Sequence, residues 1–269
     1  MTRTGFELQF EPISPEDSAW GAAAIVPWDT EIFGFRVAVY KPGPVSADAD
    51  MVNFGAGFVS WMRAHTISLC SCVLPAADSR WSRRLSETSF HLVDCTLQVS
   101  LEPLSAAHLP EIRFPVRLAT PDDHPAIEAI ARQSFAHGRY HADPFFSNEL
   151  ADWRYLRWVQ NALSGARAED RVFVLGGPAE VMGFYHGTVE GDVSDLRLVA
   201  LAPEFRKTGA GMSLYAGALR ELQELGVREV ISSISGANAA AINVHSRLGF
   251  RFRQPERVYH WHAEHLRLR

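Results

Sequence analysis

Apolar residues recur along this chain with two periods. Runs alternating every second residue predict strands, and runs spaced by three and four predict amphipathic helices. In the C-terminal part Phe114 to Leu118 reads as a strand, and Thr120-Pro121-Asp122-Asp123 reads as a helix start. Threonine is its N-cap, proline takes the first helical position, and acids fill the first turn. Ile127, Ile130, Ala131 and Phe135 form that helix's apolar face, and Trp153 to Leu163 predicts a second helix. Arg171 to Leu175, Val181 to Val189 and Val193 to Leu201 read as a meander joined by GGPAE and EGD turns. A helix from Met212 to Leu225 stops at Gly226, a strand runs from Val227 to Ile234, and Gly236-Ala237-Asn238 opens a short helix ending at Leu248-Gly249-Phe250.

The N-terminal part carries weaker signals of the same kind. Phe6 to Phe10 predicts a strand, Met51 to His65 an amphipathic helix with Phe54, Phe58, Trp61 and Met62 on one face, and Ile67 to Leu74 a strand. Arg83 to Val93 reads as a short helix breaking into a strand, much as Ser246 to Phe252 does later, so this part reads as a degenerate echo of the C-terminal one. Leu101 to Ile112, with prolines near both ends, is the expected linker. The expected division is an N-terminal α/β domain at 1–110 and a second domain at 111–269.

Chemistry concentrates at Arg206-Lys207-Thr208-Gly209-Ala210-Gly211, between the strand ending at Leu201 and the helix beginning at Met212. Two glycines at a strand-to-helix turn let backbone approach a ligand closely, and the first helical amides point outward unpaired at the positive end of the dipole. Such a turn holds phosphate. A glycine-rich turn between core elements is the plain alternative for this stretch alone, but a second motif follows it.

Together, VALAPEFRKTGAGMSLYAGAL and NAAAINVHSRLGF resemble the acyl-CoA segments of the GCN5-related N-acetyltransferase (GNAT) superfamily over roughly residues 113 to 263. The resemblance implies an α/β (α+β) GNAT fold, a mixed, largely antiparallel central sheet flanked by helices, with the smaller N-terminal domain as a degenerate GNAT-like half. It implies acetyl-CoA as acyl donor, with its diphosphate on Arg206, Lys207, Thr208, Gly209, Ala210, Gly211 and Met212. Its pantetheine arm would lie along Val199, Ala200 and Leu201 where two strands splay, with Asn238 and Ala241 beside it. The N-terminal part has no glycine-rich turn, so no second CoA site is expected. Two further segments, Trp28-Asp29-Thr30-Glu31-Ile32-Phe33-Gly34-Phe35 and Ser134 to Pro144 (SFAHGRYHADP), are similar to signatures of the dTDP-fucosamine N-acetyltransferase-like branch. That branch implies a nucleotide-linked amino sugar as acceptor. Trp28, Phe33 and Phe35 are equally compatible with core packing around a tight glycine turn.

N-acetyl transfer needs a neutral amine, a hydrogen-bond donor for the oxyanion and a proton for the departing thiolate. The family often carries a tyrosine as that acid where this chain has His245. The candidate catalytic groups are therefore His245, acting as a histidinium, with Tyr259 or Tyr215 in its place, and Asp195 or Glu190 as the end of a water chain that takes the amine's proton. A half-exposed helix histidine is the plain alternative for His245. Direct deprotonation by His141 or Asp143 remains open beside the water chain. Arg139, Tyr140, His141 and Asp143 form the expected acceptor loop; in the alternative, Asp143 caps the next turn and His141 lies at the surface.

Composition trims the alternatives. The 269 residues carry a net charge of −5, with no basic footprint for nucleic acid. The N-terminus lacks a signal-peptide core, and no run approaches the ~20 apolar residues of a membrane span, so no membrane partner and a cytoplasmic location are expected. No metal is expected: Cys70, Cys72 and Cys95 fit no metal-ligand spacing and read as buried thiols. The expected partner is a small-molecule amine, with a homodimer left open. Four readings remain: an N-acyltransferase on a nucleotide-linked amino sugar, one on another small amine such as an antibiotic or amino acid, a GNAT-fold decarboxylase or S-acyltransferase, and an acyl-CoA sensor.

Overall fold

The structure, a computed structural model, describes residues 8–14, 20–44, 53–178 and 180–264. Two compact units emerge, Met1–Cys95 with Ala142–Ser147 and Glu256–Arg269, and Thr96–His141 with Asn148–Pro255. This replaces the single cut expected between 110 and 111. The reason is strand pairing, which recruits segments distant in sequence.

In the first unit the described elements are β1 (Glu11–Pro12), β2 (Ala22–Ile25), α1 (Pro27–Phe33), β3 (Arg36–Lys41), α2 (Phe54–Ala64), β4 (Ile67–Pro75), α3 (Ser79–Glu87) and the start of β5 (His91–Leu101). β2 is antiparallel to β1 and β3, and β3 runs parallel to β4. The end of the chain supplies the next strand. Phe54, Phe58 and Met62 of α2 are buried against Tyr40, Cys70, Cys72, Trp81, Leu85 and Phe90, as the apolar spacing requires, while Trp61 is partly covered and stacks on His65 at 3.9 Å. Of the expected strand at 6–10, residues 6 and 7 lie outside the described residues and 8–10 are not in a strand.

The second unit contains β6 (Val116–Leu118), α4 (His124–Ala131), α5 (Asn148–Leu163), β7 (Asp170–Leu175), β8 (Gly183–Glu190), β9 (Val193–Leu201), α6 (Ala210–Glu224), β10 (Glu229–Ser235), α7 (Ala239–Arg247) and the start of β11 (Arg251–His262). β7 to β9 form the expected antiparallel meander, β6 pairs antiparallel with β7, and β10 is parallel to β9. β10 also pairs antiparallel with the far half of β5, Val230 against Leu101 through Ser235 against Thr96. In return, β11 carries Glu256 to His262 alongside Pro75 to Leu69 of β4 in the first unit. The segment expected to be a linker is held fast: Leu104 is fully buried in the second unit's core and its amide donates to the Arg228 carbonyl at 2.8 Å.

The expected echo is a repeat at a constant spacing of 160 residues, placing Asp78 opposite Asn238, Leu85 opposite His245 and Phe90 opposite Phe250. The backbone bonds repeat with it. Phe90 N donates to Leu85 O at 2.9 Å and Phe250 N to His245 O at 3.0 Å, while Asp78 and Asn238 each cap a helix by accepting from the amide three residues on. The turn after each helix needs a left-handed residue, which is Ser89 (φ 65°) in one copy and Gly249 (φ 82°) in the other.

Candidate functional site

The decisive feature of the second unit is where a ladder ends. β9 and β10 pair from Val193/Glu229 only as far as Leu196/Ser232, so Arg197 to Leu201 and Ser233 to Ser235 leave facing edges unbonded to each other. On its other side β9 pairs fully with β8 except at Arg197, an extra residue between His186/Leu198 and Gly187/Leu196. That bulge bends the strand and opens the gap. In the first unit the equivalent parallel pair stays bonded through Tyr40/Cys72 and has no such opening. Backbone groups of Val199 and Leu201 thus face a slot suited to an extended amide-bearing arm, while those of Ala200 turn to β8.

Below the slot lies the glycine-rich turn. Lys207 (φ 63°) and Gly209 (φ 90°) take left-handed conformations, and α6 begins at Ala210, two residues before the helix start read from sequence. Among the described residues the amides of Lys207, Thr208, Gly209 and Gly211 have no backbone partner; Met212 donates to Gly209 O at 3.1 Å, and Ala210 lies 3.3 Å from the Thr208 hydroxyl. The set of amides available to meet an anion is therefore narrower than the whole turn. A Cβ on Gly211 would meet only Leu201 Cδ1, at 3.5 Å, and one on Gly209 nothing, so both glycines leave open space above the helix start. Arg206 is exposed and reaches Ser134 Oγ at 3.3 Å and the carbonyls of Gln133 and Leu201 at 3.4 Å.

α7 arranges its residues differently from the expectation. Asn238 Oδ1 accepts from Ala241 N at 3.0 Å, so the asparagine is the helix N-cap and only its side-chain amide NH2 stays available. His245 is 1 % exposed, not half-exposed. Its Nδ1 lies 2.8 Å from the Ala241 carbonyl, which can only accept, so the ring proton sits on Nδ1 and Nε2 carries the lone pair, buried without a partner. Burial lowers its pKa below the ordinary histidine value, outweighing the carbonyl. The expected histidinium donor is corrected on this ground: the ring is neutral near pH 7 and accepts at Nε2. Its edge meets Tyr215 at 5.2 Å and Phe250 at 4.7 Å between centroids. Tyr215 is buried, and desolvation raises its pKa above that of a free phenol, so it holds its proton.

The remaining candidates separate. Asp195 is ion-paired to Arg197 at 3.0 Å. Tyr259 is buried in the first unit's core opposite Cys72, a packing position. The Arg139 to Asp143 loop divides between the units. In the second unit, Tyr140 is buried beneath the guanidinium groups of Arg139 and Arg154, and His141 binds Asp152 at 2.9 Å while stacking on Tyr155. In the first unit, Asp143 is enclosed by donors. Oδ1 accepts from Phe145 N at 3.0 Å and His91 Nε2 at 3.2 Å; Oδ2 accepts from His260 Nδ1 at 2.6 Å and His262 Nε2 at 2.7 Å. Four donors fill a carboxylate's acceptor capacity. Burial alone pushes this carboxyl up, but the hydrogen bonds from His260, His262 and His91 outweigh it and hold it well below the usual carboxylate range. Asp143 is thus a saturated anion, unavailable as a base, and the turn-capping alternative captured only its bond to Phe145.

Sequence reading missed the three histidines. His260-x-His262 on one strand places both rings on one face, a signal that was legible; His91 carried none. Phe146 of the same loop packs on Phe33 at 4.8 Å, and Phe33 stacks on Phe35 at 5.7 Å, so the two segments that suggested the branch meet in one cluster. The packing alternative for Phe33 holds. Cys70 and Cys72 are buried with burial raising both thiols, whereas Cys95 is exposed, contrary to expectation.

Residues 126–250, which hold the open ladder and the turn, match the Acetyltransferase (GNAT) family. Those residues form a GNAT acetyltransferase domain. The likeness to curated relatives extends beyond that domain. The chain is 29% identical over 234 residues to the spore coat polysaccharide biosynthesis protein SpsD of Bacillus subtilis, covering 87% of this chain and 80% of SpsD. It is 33% identical over 91 residues to the mycothiol acetyltransferase of Amycolatopsis mediterranei, 30% of each chain. Among solved structures it resembles a GCN5-related N-acetyltransferase from Kribbella flavida (TM-score 0.64, 16% identity, 97% of this chain and 91% of that one). It also resembles a tandem GNAT protein from the clavulanic acid biosynthesis pathway (TM-score 0.56, 14% identity, 90% and 78%). The fold is the GNAT fold. No helix among the described residues is long and apolar enough to cross a membrane.

Proposed function

We propose that this GNAT enzyme acetylates the amino group of a nucleotide-linked sugar, with acetyl-CoA as donor. The observation that carries the sugar is the similarity to SpsD, which extends over 87% of this chain and so across both units. The open ladder and the unpaired amides of Lys207, Thr208, Gly209 and Gly211 support the donor. When bound, acetyl-CoA supplies the acyl thioester. The chain's own part is positioning: turn amides and Arg206 hold diphosphate, the edge from Arg197 to Leu201 pairs with the pantetheine arm, and the amide NH2 of Asn238 borders it.

The proton steps are assigned from the tautomers. The departing sulfur cannot take a proton from His245 Nε2, so the Tyr215 phenol or solvent supplies it. Asp143 being saturated, the acceptor ammonium loses its proton through water toward Asp195, which is ion-paired to Arg197 at 3.0 Å. Arg139 and His141 remain the proposed acceptor contacts of the second unit, with Tyr140 beneath them as support. The test is a panel of dTDP- and UDP-linked amino sugars, free amino sugars, amino acids and aminoglycosides with acetyl-CoA, scored by thiol release and a mass gain of one acetyl group. Turnover confined to unlinked amines would overturn the nucleotide-sugar assignment while leaving the acetyl-CoA reading intact.

A further inference from the structure

The histidines around Asp143 do more than bury a charge. His91 Nε2, a carboxylate oxygen of Asp143 and His262 Nε2 all lie within 4.8 Å of one another. We propose that these three groups bind a divalent cation of the zinc class. Two imidazole nitrogens and one carboxylate oxygen are a zinc donor set of the kind that keeps a fourth position open. Ligands ~2.0–2.2 Å from a shared ion sit near the spacing seen here, where His91 and His262 approach the carboxylate to 3.2 and 2.7 Å. To admit the ion, His262 Nε2 draws back from the carboxylate it now meets at 2.7 Å, within a group of ligand atoms that already lie within 4.8 Å of one another.

The surroundings are those of a supported site. The Phe145 amide and His260 Nδ1 both donate to Asp143, fixing its plane from outside the triad, as outer partners fix metal-bound carboxylates. His262 is held by stacking on His91, with centroids 5.3 Å apart and planes 19° from parallel, and Phe145 packs on both rings. Asp143 and His262 side chains are fully buried, whereas His91 is 26 % exposed and marks the entry path and the open position. Each neutral ring coordinates through its Nε2 lone pair with its proton on Nδ1, so neutral rings release no proton on binding. A dication also offsets the charge of the Asp143 carboxylate. The site lies wholly within the first unit and is independent of the acyl-transfer reading.

The test uses the full chain, stripped with a chelator and titrated with Zn²⁺ by calorimetry and with Co²⁺ by visible absorbance. One saturable equivalent is expected, weakened at least ~10-fold in His91→Ala. NMR of the wild-type imidazole protons is the second measurement and needs no variant: zinc should remove the Nε2–H signals of His91 and His262 and retain the Nδ1–H of His260. Equal binding by His91→Ala, or Nε2–H signals that persist in millimolar zinc, would overturn the proposal.

Discussion

Leu85 and His245 occupy equivalent positions in two copies of one structural repeat, and both are buried, at 0 % and 1 % exposure. One copy fills the position with a hydrocarbon and the other with a neutral imidazole whose Nδ1–H is tied to its own helix. The comparison marks His245 as a side chain with a packing role shared with Leu85 and an accepting nitrogen that Leu85 lacks.

His245→Phe should keep turnover within about tenfold at saturating acetyl-CoA, because an Nε2 acceptor does not deliver the thiolate's proton. Loss of a true general acid would cost ~100- to 10,000-fold. A loss of that size, measured as kcat over the pH range, would restore the acid assignment.

The same residue sets a stability term with a definite sign. Its folded pKa lies below the unfolded value of ~6.5. The unfolded chain therefore takes up a proton first as pH falls, so this contribution is complete above pH ~6.5 and is lost below it. His245→Leu should flatten the dependence of Tm on pH between 7 and 5; an unchanged slope would show that the group is not buried neutral.

Tyr215→Phe tests the remaining phenol. If Tyr215 protonates the sulfur, turnover should fall ~100-fold or more with the acetyl-CoA KM little changed. Because burial raises its pKa, wild-type turnover should rise with amine deprotonation and show no falling limb below pH ~10. Near-normal kcat in the variant would assign the proton to solvent.

Gly211→Val addresses the turn. A Cβ there meets little of the protein, so Tm in the absence of ligand should change by no more than a few degrees, while acetyl-CoA affinity should drop sharply. For the wild type, acetyl-CoA at 100 times its Kd should add ~2.7 kcal/mol of stability, seen as a thermal shift that the variant lacks. Calorimetry giving equal affinities would remove the diphosphate from this turn.

Asp143→Ala should be among the most damaging single changes in the first unit, costing roughly 3–5 kcal/mol, since it leaves three imidazole donors and a backbone amide without their acceptor. In the wild type this carboxylate's contribution is present above pH ~4 and lost as pH falls further, because its folded pKa is depressed. Urea midpoints of variant and wild type at pH 7 and pH 4 measure both.

Much of the second unit was legible because its elements are local. The capping sequence at Thr120, where Asp123 accepts from the Thr120 amide at 2.7 Å, the meander to Leu201, and the glycine-rich turn before α6 each obey rules acting over a few residues. Residue types and periods sufficed for those elements, and the resemblance of two motif segments implied the GNAT fold. What only the tertiary structure decided were relations between distant segments. The chain did not reveal that β5 and β11 complete the sheets of opposite halves, that Leu104 is core and not linker, or that Asp143 meets residues 52, 117 and 119 positions away. It also could not fix the tautomer of His245, because that depends on which atoms bury the ring. Local steric and hydrogen-bond preferences are written in neighbouring residues, whereas strand pairing and desolvation are set by whichever segments the collapsed chain brings together.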